Sequence, residues 1–164
     1  MSVAKFDEDG DLVRPENVET WVFMGASLGM GYNQQVKFDP HTPGNFQTVL
    51  MEPTAYREFQ KTGVFPDGSM FALIFNSTKT NIPPNKSGFI MGDELALEIH
   101  LKDKNRFPET GFNFYFFGTD AETAETRRIP NACISCHVKH ADYDGVFTQF
   151  YPTARKNLPK FYKD

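Results

Sequence analysis

The chain has 164 residues, of which 40% are hydrophobic and 15% aromatic, and its formal net charge is -4. A chain of this length is expected to form one domain around one core without needing disulfides. The acidic balance, without any cluster of Lys and Arg, argues against a nucleic-acid-binding protein. The longest apolar run, residues 70–75, is too short to cross a bilayer, so we expect no membrane span.

The N-terminal residues differ in composition from the rest of the chain. Residues 1–20 are acidic and polar, contain Pro15 and show no sustained hydrophobic period. Such a stretch predicts an N-terminal arm that leads into a helix or strand at best. The remaining residues, 21–164, show neither an internal repeat nor a low-complexity tract, and we expect them to form a single domain.

Two short strands and one helix are predicted in the first half of the chain. Residues 21–26 and 46–51 are mostly apolar or β-prone and predict strands. Residues 53–61 begin with proline, place Tyr56 and Phe59 three positions apart, and are followed by a glycine at position 63. These features predict an α-helix.

The second half of the chain contains three runs that predict strands. Residues 69–76 are apolar on both faces, which is typical of a central strand. Residues 94–102 alternate between apolar and polar side chains, so Glu98 and His100 are expected on a solvent-exposed face. Residues 111–118 form the third run. Consecutive strands with few helices predict an α+β fold, mainly β, in which an antiparallel sheet has helices at its ends.

Residues 133–137 read CISCH, and this C-x-x-C-H spacing is the attachment signature of a covalently held c-type haem. One helical turn separates Cys133 from Cys136, which places both thiols where they can add to the two vinyl groups of one porphyrin. His137 follows directly and is the expected axial ligand of the iron. The sequence therefore predicts one haem c on a C-terminal attachment helix.

Three other interpretations of the cysteine pair are open. A thioredoxin-like redox pair follows a strand in a βαβ unit, whereas residues 127–132 show no such strand pattern. A structural zinc site takes four ligands, and the chain has only 2 cysteines. A disulfide here closes a very short loop and adds little stability. The histidine that follows the pair favours haem attachment over all three.

The start of the chain bears on where the protein works. Residues 1–10 carry no apolar h-region and are not a signal peptide. Covalent haem c is normally attached outside the cytoplasm. We therefore expect a periplasmic or otherwise exported protein from which a leader has been removed.

The function of a haem protein depends on what lies opposite the motif histidine. A methionine or a second histidine there gives an electron-transfer cytochrome, whereas an open position binds a small molecule. His41 lies in a polar loop, His100 on the predicted polar face, and His140 on the same side of the haem as the motif histidine. The other candidates are methionines in or beside apolar strands, where methionine usually fills core space: Met24, Met30, Met51, Met70 and Met91. None stands out as a sixth ligand.

Four segments carry a resemblance to a known family: residues 21–25 (WVFMG), 61–68 (KTGVFPDG), 133–137 (CISCH) and 146–152 (VFTQFYP). In this order and spacing the chain resembles the cytochrome P-460 family, including the β-type cytochromes c′ (cytochrome c′-beta). The resemblance implies a five-stranded antiparallel sheet with flanking helices, usually in a homodimer. It also implies a five-coordinate haem whose only protein ligand is the motif histidine.

One position distinguishes members of this family from one another. In the hydroxylamine-oxidising members, a lysine on the strand after the Asp-Gly turn is cross-linked to the porphyrin, and the corresponding residue here is Leu73. Lys61 or Lys79 takes that role only in another register. Because Phe71 and Phe75 share the face of Leu73 in a strand, we expect an apolar distal pocket capped by phenylalanine, as in the β-type cytochromes c′. Ordinary sheet core is the alternative.

Such a pocket favours NO or CO over oxygen, because bound oxygen develops negative charge that needs a hydrogen bond. The first hypothesis is therefore binding, scavenging or detoxification of NO or a related small nitrogen species. The second is an oxidoreductase acting on hydroxylamine or peroxide, which needs a general acid or base. Asp142 and Asp144 are candidates for that group, with helix capping as the alternative. The third is electron transfer with a redox partner protein.

Two basic residues just before the motif are further candidates. Arg127 and Arg128 precede the attachment helix in the sequence. Guanidinium groups pair well with carboxylates, so these two are candidates for binding the haem propionates. A solvated surface pair is the alternative.

Overall fold

The computed structural model describes residues 4–31, 39–126 and 131–158. The strands are β1 (Leu12–Val13), β2 (Val22–Leu28), β3 (Phe46–Met51), β4 (Met70–Lys79), β5 (Ile90–Lys102), β6 (Phe112–Gly118) and β7 (Thr123–Ala124). The helices are α1 (Pro53–Thr62), α2 (Ala132–His140) and α3 (Pro152–Arg155), with short 3-10 turns at Val18–Thr20 and Thr148–Phe150. Nowhere in the described ranges is there a helix both long enough and apolar enough to cross a membrane.

Five strands form one antiparallel sheet in the order β2-β3-β4-β5-β6, and β1 pairs with β7 in a separate 2-stranded sheet. Each strand of the large sheet lies beside its neighbours in sequence, and helix α1 lies in the connection between β3 and β4. The predicted mainly β fold with an antiparallel sheet, flanking helices and a helix near the C-terminus is confirmed. The hairpin between β4 and β5 is longer than predicted, because β4 continues to Lys79 and β5 begins at Ile90.

The large sheet is buried on both faces. Leu50, Ala72 and Ile99 belong to a cluster on one face, and Leu12 from the N-terminal segment is fully buried in the same cluster. A second cluster on the opposite face includes Phe71 and packs against the helices. The predicted division into residues 1–20 and a following domain stays a prediction, although the described part of that arm contributes to the core.

Strand β5 departs from its predicted half-exposed character. Leu97, Ile99 and Leu101 are buried as expected, but His100 and Lys102 on the other face are only 7% and 5% exposed. The prediction that His100 is exposed to solvent is wrong. The physical reason is tertiary: the C-terminal segment covers this face, and alternation alone does not show which faces of a strand are covered.

Helix α1 follows the prediction closely. Glu52 precedes it and its side chain accepts a hydrogen bond from the Ala55 backbone N–H at 2.7 Å, which satisfies one free donor of the first turn. Phe59 is fully buried and stacks on Phe65 with ring centroids 4.1 Å apart. The helix therefore closes one end of the second cluster.

Candidate functional site

Helix α2 carries the C-x-x-C-H motif and is held against the sheet. The Asn131 side chain caps it by accepting a hydrogen bond from the Ile134 N–H at 2.9 Å. Ile134 is buried in a cluster with Phe112 and Phe114 of β6, and Cys133 packs beside them. Both cysteine thiols are free of disulfide bonds. Two available thiols therefore lie one helical turn apart next to the sheet.

The ring of His137 is fixed by a hydrogen bond to the backbone. Its Nδ1 lies 2.7 Å from the carbonyl oxygen of Gly145. Since a carbonyl only accepts, Nδ1 carries the proton and Nε2 is the nitrogen available to a metal. Phe114 and Phe147 pack on the ring with centroids 4.6 and 4.4 Å away. Burial lowers the pKa of His137, against a smaller opposing effect of the Gly145 hydrogen bond, so the ring is neutral as a ligand must be.

A cavity of about 280 Å³ lies beside this imidazole. Its walls come from β2 to β6 and from the segment after α2. Most of the lining is apolar: Gly25, Ala26, Met30, Val49, Phe71, Leu73, Phe114, Val146, Phe147, Phe150 and Tyr151. The structure thus brings three of the predicted site residues, His137, Phe71 and Leu73, to one cavity.

Phe75 is placed differently from Phe71 and Leu73. It points from the same face of β4 but does not belong to the cavity lining formed by the described residues. Phe71 is 4% exposed and meets the Phe65 ring edge-on at 5.2 Å. Of the two phenylalanines expected to cap the pocket, Phe71 lines the cavity and Phe75 does not.

The cavity also has polar walls, which departs from the expected apolar pocket. Glu98 and His100 line it from β5, and Gln47 and Ser27 line it from β3 and β2. Glu98 lies directly across the strand pair from Leu73. Sequence reasoning missed Glu98 and His100 because it assigned their face of β5 to solvent. Glu98 and His100 share their face of β5 with Lys102, and the sequence gives no sign that Lys102 is buried.

His100 is the most enclosed polar group of the cavity. Its ring lies 4.8 Å from that of Phe114, 5.4 Å from that of His137 and 5.6 Å from that of Phe71, between centroids. Burial above all, with His137 and Lys102 nearby, holds the pKa of His100 well below its usual value. The imidazole is therefore neutral at physiological pH, with one ring nitrogen able to donate and the other able to accept.

The two aspartates predicted as acid or base candidates lie outside this cavity lining. Asp144 forms an ion pair with Lys102. Asp142 accepts a hydrogen bond from Thr148 Oγ1 at 3.2 Å and lies 3.8 Å from the Arg155 guanidinium. Both carboxylates are thus engaged with neighbours, and the carboxylate that lines the cavity is a different one, Glu98.

The remaining basic candidates are also accounted for. Lys61 lies near Glu58 on the exposed side of α1, and Lys79 pairs with Asp93 at 2.8 Å on the β4–β5 hairpin. Neither lysine lines the cavity, so the described residues offer no alternative to position 73 for a porphyrin cross-link there. Arg127 and Arg128 lie outside the described residues, and their pairing with propionates stays a prediction.

The residues present fit a c-type haem. Two cysteine side chains outside any disulfide stand on one helix, a neutral imidazole turns Nε2 away from its hydrogen-bond partner, and a cavity with mostly apolar walls adjoins the imidazole. A sequence model of the family described as cytochrome P460 matches residues 15–148, which is most of the chain. No curated protein matches the sequence significantly.

Proposed function

Because the chain belongs to the cytochrome P460 family, we propose that it carries one haem c on Cys133 and Cys136, with His137 as the only protein ligand of the iron. When bound, the haem would supply an iron able to take up a small ligand. The protein's part is to hold the imidazole neutral and oriented, and to exclude water from the other side. The Gly145 carbonyl and the rings of Phe114 and Phe147 hold the imidazole in this way.

The proposed ligand is NO or a related small nitrogen species, bound for scavenging or detoxification. The observation that carries this proposal is the cavity shared by His137, Phe71 and Leu73. Phe71 and Leu73 offer a bound ligand no hydrogen bond, and NO and CO tolerate such a wall better than oxygen does. A leucine in the position that corresponds to the cross-linked lysine supports a protein closest in type to the β-type cytochromes c′.

Export and dimerisation are part of the same proposal. Attachment of haem c outside the cytoplasm supports a periplasmic or otherwise exported protein. The family resemblance supports a homodimer.

A second candidate function is oxidation of hydroxylamine, or peroxidase chemistry, at the same iron. Glu98 favours it, because its carboxylate lines the cavity and lies across from Leu73. Removing protons from hydroxylamine needs a base within reach of the substrate, and a carboxylate is such a base. The electrons would pass to a redox partner protein.

Optical spectra of the purified haem-loaded protein test the first proposal. We expect high-spin, five-coordinate ferric and ferrous states, and a stoichiometric spectral change when NO is added to the ferrous form. A low-spin, six-coordinate ferrous spectrum would mean that a side chain occupies the second axial position. If replacing His100 by leucine then restored the high-spin form, His100 would be that ligand and the protein an electron-transfer cytochrome.

Turnover measurements separate the second candidate from the first. Hydroxylamine oxidation with an artificial electron acceptor should be lost in Glu98→Gln and kept in Glu94→Gln, a carboxamide change at an exposed position of the same strand. Absence of turnover in the unmodified protein, together with an intact mass equal to chain plus one haem, would remove the enzymatic candidate.

A further inference from the structure

The hydrogen bond that orients His137 ends on a tight turn. Tyr143 and Val146 exchange backbone hydrogen bonds of 3.3 and 2.8 Å, and the two residues between them, Asp144 and Gly145, have φ of 51° and 74°. Two central residues with positive φ form a type I′ turn, for which Asp-Gly is a preferred pair. The carbonyl that accepts from His137 therefore belongs to the most constrained part of the turn.

This turn packs directly on strand β6. A Cβ atom at Gly145 would lie 2.4 Å from Cε1 of Phe112, well inside contact distance. The Tyr143 hydroxyl donates to the Gly63 carbonyl at 3.1 Å, which ties the first residue of the turn to the end of α1. Small movements of the turn are thus resisted by packing on one side and by a hydrogen bond on the other.

A buried lysine attaches the turn to the sheet. The Lys102 side chain is 6% exposed, its ammonium group pairs with the Asp144 carboxylate, and it also donates to the Phe65 carbonyl at 2.8 Å. The Lys102 backbone is held as well, because its N–H donates to Ser69 at 2.9 Å and its carbonyl accepts from Gly68 at 2.8 Å. Lys102 is therefore fixed at its backbone and at its ammonium group.

Stability does not account well for this arrangement. Burying a lysine costs its hydration free energy, and replacing a buried ion pair by apolar residues is often neutral or stabilising. An ion pair does, however, define the distance between the two elements that carry it, here β5 and the turn. Since the residue next to Asp144 supplies the acceptor for His137, that distance also sets the place of the acceptor.

We propose that Lys102 and Asp144 are positioning residues for the axial imidazole, acting through the Gly145 carbonyl. This inference rests on the proposed function, because it takes His137 as the iron ligand. A well-placed acceptor on Nδ1 makes an imidazole a stronger electron donor to a metal. Loosening the turn therefore weakens the bond between iron and Nε2, with no residue of the ligand cavity changed.

The decisive variant is Asp144→Asn. Asparagine tolerates positive φ and keeps a side-chain acceptor, so the turn should fold, while the charge that holds Lys102 is gone. The measurement is the iron–histidine stretching band of the ferrous protein by resonance Raman spectroscopy. We expect a downshift of that band and a more positive reduction potential. Lys102→Met should produce the same two changes.

A matched control exists on the β4–β5 hairpin. Lys79 and Asp93 form an ion pair of the same residue types, more exposed and outside the cavity lining. Lys79→Met and Asp93→Asn should leave both the stretching band and the potential unchanged. These variants repeat the same chemical changes without touching the turn.

The outcomes distinguish the two proposals. If the unmodified protein shows no iron–histidine band, the proposed ligation by His137 fails. If it shows the band and Asp144→Asn leaves band and potential unchanged, the positioning role is wrong, even where the melting temperature falls. If Lys102→Met does not load haem, Asp144→Asn alone decides.

Discussion

The two sides of the cavity are built on different principles. On the His137 side, one hydrogen bond to the Gly145 carbonyl orients the imidazole, and a helix cap, a type I′ turn and a buried ion pair hold the elements that carry the two partners of this bond. On the opposite side, Phe71, Leu73 and Glu98 project from antiparallel strands whose backbone hydrogen bonds do not depend on those side chains, although the pairing of β5 with β6 shifts register just before Glu98. The first side depends on backbone geometry, whereas the second presents side chains that can change without moving the backbone.

This contrast separates haem attachment from reactivity. A change on the His137 side should disturb folding, haem loading or ligation. A change at Phe71, Leu73 or Glu98 on the strand side should chiefly alter which ligand binds, and how fast. Four substitutions, taken from the largest expected effect to the smallest, test this separation.

His137→Ala should have the largest effect. Removing the only proposed protein ligand leaves the iron without its axial imidazole, so the five-coordinate histidine spectrum should vanish. Optical and resonance Raman spectra measure this, and added imidazole should partly restore the band. His140→Ala, an exposed position on the same helix, is the control and should match the unmodified protein.

Gly145→Ala should destabilise the fold through the turn. The added Cβ meets the Phe112 ring at 2.4 Å, and the residue must adopt a φ of 74°. We expect a loss in the free energy of unfolding of about 1–3 kcal/mol from backbone strain, increased by the steric clash. Chemical denaturation measures it. Gly118→Ala is matched, since its φ is 61° and nothing lies within 4 Å of the new Cβ; an equal loss in both would show that packing on Phe112 is unimportant.

The lowered pKa of His100 should make the stability of the fold depend on pH. Its folded pKa lies well below the ordinary value of 6.5, so as the pH falls past 6.5 the unfolded chain gains a proton that the folded chain does not. The contribution of His100 to the free energy of unfolding is therefore fully present above pH 6.5 and is lost as the pH falls below it. The slope of this loss approaches about 1.4 kcal/mol per pH unit.

The His100→Phe variant isolates this contribution. In denaturation curves measured between neutral and mildly acidic pH, the variant should show a flatter decline than the unmodified protein. A decline equally steep in His100→Phe would assign it to other groups.

Phe71→Leu tests the strand side, with the smallest expected effect on the fold. Shortening a side chain that borders the cavity should raise the rate of NO or CO binding severalfold, measured by stopped flow or flash photolysis. Phe75→Leu, on the same face of β4 but outside the lining, should bind at the original rate. Equal rates in both variants would place the entry path elsewhere.

Much of the fold follows from local pattern. The helix at 53–61 and the strands at 46–51 and 111–118 were predictable because proline, glycine and β-prone residues mark them directly. The burial of His100 was not predictable. Alternation divides a strand into two faces, but which of them is covered depends on segments that are distant in sequence.

The candidate site shows the same division. Cys133, Cys136 and His137 lie within one helix, so their spacing alone defined the attachment motif. The interest of Leu73 came from the family resemblance, which assigns its place on the strand to the cross-linked lysine of other members. Glu98 and His100 in the cavity, and the pairing of Lys102 with Asp144, join residues far apart in the chain. A motif of neighbouring residues can be recognised from the sequence, whereas contacts between distant residues form only when packing brings strands and turns together. The motif is therefore a property of the sequence, and the environment of its histidine is a property of the folded protein.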